Sequence, residues 1–253
     1  MRITLLGTGT SQGVPVIACG CAACQSLDFR DKRLRTSILI EKDGNSFVVD
    51  TGPDFRQQML REGVKKLDAV IFTHEHKDHT AGLDDVRAFN FRQKKDMPIY
   101  GRPNVIEQLK QEFSYAFGEK KYPGVPQLEV HTIDNNPFSI EGVDFMPIEV
   151  MHLRLPVFGF RIGDFTYITD ANYISPEEKE KIKGSKVLVL NALQKEPHVS
   201  HFNLEEAIEL ALEIKADATY FTHISHRMGP HKQVDEELPE GINLAYDGLV
   251  IDL

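Results

Sequence analysis

The 253-residue sequence contains no tryptophan, only three cysteines, no apolar run of membrane-spanning length, and too little positive charge to balance the negative. The missing tryptophan excludes nothing. The cysteines, Cys19, Cys21 and Cys24, crowd into one short stretch. An odd, clustered set is a poor disulfide framework and a good partial metal site. A spanning helix needs about 20 consecutive, mostly apolar residues, and no segment approaches that. The opening run Met1–Leu6 is also too short for a signal-peptide core, so the expected compartment is the cytosol. Lysine and arginine number 29 against 38 aspartates and glutamates, a formal net charge of −9. Such a surface repels polyphosphate chains at a distance and argues against a broad nucleic-acid groove. A small phosphorylated substrate stays compatible with it, because a bound metal can dominate the local field.

What is present reads as an α/β chain. A hydrophobic content of 41% suits a globular core, and single units of this length are common among α/β folds. Met1–Leu6 reads as a strand and Gly7–Gly13 as a loop. These glycines are not a dinucleotide-binding fingerprint, which requires a helix directly after them; here Val14-Pro15-Val16 and the cysteines follow. Thr36–Glu41 and Ser46–Asp50 form a hairpin about Lys42-Asp43-Gly44-Asn45. Further strands are expected at Ala69–Thr73, Pro98–Tyr100, Leu128–Thr132, Phe138–Ile140, Val143–Val150, Gly159–Ile162, Phe165–Thr169, Val187–Leu190 and Ala218–Thr222. Helices are expected at Pro53–Arg61, Thr80–Arg92, Asn104–Phe117 and Pro176–Lys183. Another covers Ala207–Ile214 after an Asn203 cap with Glu206 three residues on. A final hairpin turns at Asp247-Gly248. No linker divides the chain, so residues 1–253 are read as one domain. Ala69-Val70-Ile71-Phe72-Thr73-His74 is echoed by Ala218-Thr219-Tyr220-Phe221-Thr222-His223, with strand-ending Asp50 and Asp170 ahead of each. Two mixed sheets flanked by helices, with a site between their strand ends, account for the echo.

The strongest chemical signal is Thr73-His74-Glu75-His76-Lys77-Asp78-His79. In extended backbone His74 and His76 point to the same side, because side chains alternate, and two imidazoles can then share one cation. As the chain turns towards the next helix, Asp78 and His79 can face a neighbouring cation. Imidazole and carboxylate together suit Zn, Mn or Fe better than Ca or Mg.

This segment resembles the HxHxDH signature of the metallo-β-lactamase superfamily, whose αββα sandwich of two mixed sheets it implies. The resemblance runs the length of the chain. It implies that Asp50 is a structural aspartate beside the site and that His152 is the third histidine of the first metal. It makes Asp170 the bridging carboxylate and His223 the last ligand of the second metal, with Asp78 counted among both the ligands and the catalytic residues.

The second signal is Cys19-Gly20-Cys21-Ala22-Ala23-Cys24. Three thiolates at this spacing can hold three vertices of a tetrahedral zinc. His226, three residues after His223, is a candidate fourth ligand that would tie the N-terminal loop to the loop carrying a catalytic ligand. Such a closed site is structural. CxCxxC, HxHxDH and Thr222-His223-Ile224-Ser225-His226 together look like the PhnP phosphodiesterase group of the carbon–phosphorus lyase pathway. Members of that group hydrolyse a cyclic ribosyl phosphate and related diesters. Proteins of pyrroloquinoline-quinone biosynthesis share a similar cysteine cluster.

In the resembled group a histidine at the place of His201 lies beside the metals as a candidate proton donor, work that suits imidazole. His131, His198 and His231 read as surface or loop residues, and Arg154, Arg227 and Lys232 as solvated charge. The resemblance implies a phosphoric diester hydrolase that uses two divalent ions, Mn or Zn, to activate hydroxide, with one further structural zinc. It implies a small phosphorylated substrate and a homodimer, with no membrane and no nucleic acid. The alternatives within the fold are a ribonuclease-Z-like enzyme, a thioesterase, a lactonase or a non-catalytic metal-binding member.

Overall fold

A computed structural model describes residues 1–118 and 122–253. One sheet runs in the spatial order Val250–Asp252, Arg2–Gly7, Ser37–Lys42, Asn45–Val49, Ala69–Ile71, Met97–Gly101 and Leu128–Thr132. The other runs Tyr173–Ile174, Val143–His152, Leu155–Ile162, Phe165–Ile168, Val187–Asn191, Ala218–Thr222 and Ile242–Leu244. Phe138–Ile140 pairs with the Val143 strand. Both sheets are mixed. In the first, Asn45–Val49 is antiparallel to Ser37–Lys42 and parallel to Ala69–Ile71.

Side-chain alternation builds the layers. Ile38, Ile40, Phe47, Val49, Ala69 and Ile71 face Phe145, Phe158, Phe160, Phe165 and Tyr167 across the gap between the sheets. The intervening Leu39, Val48 and Val70 point the other way and pack on Phe55, Met59, Phe89 and Leu109 of the helical layer. On the opposite face Ile168, Leu188 and Leu190 pack on Ala207, Leu210 and Ile214. A strand covered on both faces reads as an unbroken apolar run, as Phe47-Val48-Val49 and Ala69-Val70-Ile71 do.

The helices and strands keep close to the expected bounds, with three corrections. The helix expected over Thr80–Arg92 is Lys77–Thr80, a 3₁₀ turn Leu83–Val86 and a helix Arg87–Gln93. Gly82 breaks it: its N–H donates to the Thr51 carbonyl at 2.8 Å. A β-carbon there would lie 2.2 Å from the Gly52 oxygen, so only glycine allows the two loops to touch. The helix expected at Asn104–Phe117 divides into Pro103–Glu112 and Ser114–Phe117. The last hairpin is a crossover instead. Ile242–Leu244 joins Ala218–Thr222 in one sheet, whereas Val250–Asp252 joins Arg2–Gly7 in the other. The Asp247 carboxylate explains the detour, since it accepts from the Thr8 hydroxyl at 2.8 Å and the Leu34 amide at 2.8 Å, both on the far sheet's side.

His231, expected at the surface, is buried. Its Nδ1 lies 3.0 Å from the guanidinium of Arg33, which is buried as well and donates to Thr8 and to the Ala245 carbonyl. An arginine nitrogen can only donate, so His231 Nδ1 accepts and the ring is neutral. Burial, then the Arg33 and Arg30 charges, push His231 down to about 4, with Asp31 and Asp235 opposing. The unfolded chain takes up a proton as pH falls below about 6.5 and the folded chain refuses it until about pH 4. Stability therefore drops across that window, by about 3 kcal/mol from this group. His231→Asn keeps an acceptor for Arg33 and cannot titrate. In denaturant unfolding between about pH 7 and pH 4, the metal-free variant should lose less stability than the metal-free parent. Equal losses would remove His231 as the cause.

Candidate metal centre

The site forms where the strands of the two sheets end side by side. Past Ala69–Ile71 the chain bends at Thr73, whose carbonyl accepts from Phe158 of the other sheet at 3.1 Å. It delivers His74, passes His76 and turns into Lys77–Thr80, which carries Asp78 and His79. His152 ends the strand Val143–His152, and His223 follows Ala218–Thr222. Asp50, Asp170 and His223 hold left-handed backbones at φ 66°, 54° and 55°. Non-glycine residues rarely adopt that region, and such strain gathers at functional sites.

Four overlapping groups of donors result, each with its ligand atoms within 4.8 Å of one another: His74, His76 and His152; Asp78, His79 and His223; His74, His79 and Asp170; and His152, Asp170 and His201. Two sets of three thus share Asp170, which lies 3.2 Å from His79 Nε2 and 3.2 Å from His223 Nε2. The outer nitrogens are held by the protein. His152 Nδ1 donates to the Ser200 carbonyl at 2.8 Å, which leaves Nε2 for the site. His79 Nδ1 donates to Asp50 at 2.7 Å. The Thr73 hydroxyl donates to Asp50 at 2.8 Å and so accepts from His74 Nδ1 at 2.9 Å. Fixing the outer nitrogen fixes the tautomer and aims the other nitrogen inward.

The inward atoms fit a cation. His79 Nε2 and both His223 nitrogens are buried without a hydrogen-bond partner among the described residues, a cost that native proteins seldom leave unmet. His74 Nε2 and His76 Nδ1 face each other at 3.0 Å, close enough to share one cation. Burial alone would raise the Asp170 and Asp78 carboxyls, but the charges of His223 and His79 on the first, and of His79 on the second, hold both below the usual range. Burial opposes charge on His79 too, yet Asp78, Asp170 and Asp50 hold it well above the ordinary imidazole value. Burial and His79 push His74 well down. The carboxylates are ionised, and a divalent ion would take the place of the proton that they hold on His79.

His201 is buried beside this cluster, its Nε2 3.0 Å from Asp170 Oδ1. Burial pushes it down to about 4, with the Asp170 hydrogen bond pulling the other way. His198, read from sequence as unremarkable, sits outside with its Nδ1 3.2 Å from His201 Nδ1. Thr73 was also missed; no local pattern distinguishes its hydroxyl from that of any strand threonine.

Cys19, Cys21, Cys24 and His226 form a second group within 4.8 Å. His226 Nδ1 lies 3.2 Å from the Cys19 sulfur and 3.5 Å from that of Cys21. The Cys24 backbone N–H and His226 hold Cys21 at about 6, against burial, while burial pushes Cys24 up to about 11. The neighbouring chain is already tied to the ligand loop: Ile224 donates to the Thr8 carbonyl at 2.9 Å and accepts from Thr10 at 3.1 Å.

A family model described as a β-lactamase superfamily domain matches residues 45–224. An octanoyltransferase of Porphyromonas gingivalis is 40% identical over 252 residues, 98% of this chain but 51% of its own length. The chain thus spans about half of that relative. A ribonuclease Z of Mycobacterium is 25% identical over 93% of this chain and 88% of its own. Among solved structures, a diphosphatase from the PhnP family superposes with a TM-score of 0.94 at 40% identity, covering 100% of this chain and 97% of that one.

Proposed function

The chain belongs to the PhnP family of the β-lactamase superfamily, and from that premise we propose that it hydrolyses a small phosphodiester, cyclic or sugar-borne, with the assistance of two divalent metal ions. The observation that carries this reading is His201, which reaches Asp170 at 3.0 Å while two further sets of three donors flank the same carboxylate. A hydrolytic site needs a proton for its leaving oxygen, and His201 stands beside Asp170 while the sets His74, His76, His152 and Asp78, His79, His223 are complete without it.

Manganese or zinc held by His74, His76, His152, Asp78, His79, His223 and the shared Asp170 would supply Lewis-acid stabilisation of the phosphoryl oxygens and an acidified water. Asp50 and Thr73 hold the outer nitrogens of His79 and His74, so the donors need not reorganise. His201 donates from Nε2 to the departing alkoxide; the Asp170 hydrogen bond and the anionic diester favour its charged form against the burial that opposes it. A zinc on Cys19, Cys21, Cys24 and His226 would fasten the N-terminal loop to the His223 loop.

A second reading rests on one observation, the octanoyltransferase name of the 40% identical relative. It would make the substrate an acyl ester or thioester. The name belongs to a protein about half of which this chain covers. A substrate panel on protein reconstituted with Mn²⁺ or Zn²⁺ separates the readings. Turnover of a nitrophenyl phosphodiester in preference to the monoester, an octanoyl thioester, a lactone and a β-lactam is expected. Thioester turnover with an idle diester would replace the first reading by the second.

A further inference from the structure

The segment that returns from Lys195 to His201 is exposed along most of its length, yet it ends in the buried His201. Its base is closed by Leu193 donating to the Phe202 carbonyl at 2.9 Å and Phe202 donating to that of Ala171 at 2.7 Å. Over the site itself two side chains tie it down. His152 donates to the Ser200 carbonyl, and the Asn172 amide donates to the Val199 carbonyl at 3.1 Å. The other end of the same Asn172 amide accepts from the Leu153 N–H at 2.8 Å. Leu153 follows ligand candidate His152 and holds a left-handed backbone at φ 58°, which a residue with a β-carbon adopts only when its surroundings impose it. The backbone of Asn172 is in turn fixed, its N–H on the Met151 carbonyl at 2.8 Å. Asn191 clamps the preceding residue, accepting from Ala171 N at 2.8 Å and donating to its carbonyl at 2.9 Å.

The geometry points to Asn172 as the positioning residue for the proton donor: it staples the turn after His152 to the loop that ends in His201. The inference rests on the proposed hydrolysis, in which His201 supplies the leaving-group proton. The task requires one short side chain that accepts from one backbone and donates to another, and among small residues the amide of asparagine does both in a fixed plane. Aspartate at this position would still accept from Leu153 N–H. Its second oxygen would face the Val199 carbonyl with no proton between them, and the loop would move out. The substitution removes no contact of a metal ligand: the bond from His152 to Ser200 remains as the second tie of the loop, which therefore shifts without opening.

Asn172→Asp and, as a second variant, Asn172→Ala are to be assayed on two diesters, methyl nitrophenyl phosphate and a ribosyl 2′,3′-cyclic phosphate, with metal content measured on the same samples. A catalytic group displaced by about 1 Å costs roughly 10²-fold. The cyclic phosphate, which leaves as an alkoxide, should therefore slow in kcat by about 10–100-fold. The nitrophenyl ester should slow by less than about threefold, since its leaving group hardly needs the proton. KM and metal content should hold. Equal loss on both diesters, no loss on either, or loss of metal would overturn the role of Asn172 while leaving the hydrolysis intact. Parent protein that cleaves neither diester would overturn the function and this role with it.

Discussion

His201→Ala should slow hydrolysis of a sugar phosphodiester by about 10²–10⁴-fold, the range that general acid catalysis supplies, and should barely touch an activated aryl diester. A sugar alkoxide is a strong base and needs a proton as it departs, whereas nitrophenolate is stable without one. The His201 ring is buried and reaches Asp170 at 3.0 Å; it joins one donor group, with His152 and Asp170, but neither the group His74, His76, His152 nor the group Asp78, His79, His223 includes it. Metal content should therefore survive the substitution. Steady-state rates on the two substrates, with metal analysis of the same preparation, decide the matter. Equal losses would make His201 a positioning residue, and lost metal would make it a ligand.

Asp170→Asn should cost more, because it acts on both ions at once. Asp170 is the carboxylate within reach of His79, His201 and His223, and it belongs to two of the four donor groups. An amide removes the shared negative charge and presents N–H where an acceptor is needed. Disturbing a residue that merely supports a metal ligand costs about 10–100-fold in affinity or activity, so a shared ligand should cost at least about 10²-fold on every substrate. Stability gives an independent readout. Metal at about 100 times its dissociation constant should stabilise the parent by about 2.7 kcal/mol per site, and the variant by visibly less. An unchanged metal-induced shift in Tm would show that Asp170 does not bridge.

The candidate site was legible because its densest part is local. His74, His76, Asp78 and His79 announce themselves by spacing within one extended segment and its turn. Asp50, His152, Asp170 and His223 are scattered, and only the resemblance to the metallo-β-lactamase superfamily ties them to the same place. The two sheets follow from the echo of Ala69–His74 in Ala218–His223 and from the resemblance that implies an αββα sandwich. What escaped depends on contacts between distant stretches of chain. Asp247-Gly248 signals a turn, but nothing local says that the strand after it crosses to the other sheet. Gly82 ends a helix because Gly52 lies against it. His231 is buried because Arg33, 198 residues away in sequence, needs an acceptor. Asn172 draws its role from Leu153 and Val199, 19 and 27 residues away. The left-handed backbones of Asp50, Asp170 and His223 carry no glycine or asparagine to mark them.

The most direct test of the account is the number and position of metal ions in crystals of the protein saturated with Mn²⁺ or Zn²⁺, read by anomalous scattering. Two ions about 3.5–4 Å apart are expected, one on His74, His76 and His152 and the other on Asp78, His79 and His223, with Asp170 between them. A third, zinc, should lie about 2.3 Å from the sulfurs of Cys19, Cys21 and Cys24 and about 2.0–2.1 Å from His226. At most one ion in the histidine and aspartate cluster under saturating metal would contradict the two-metal hydrolase proposed for this chain.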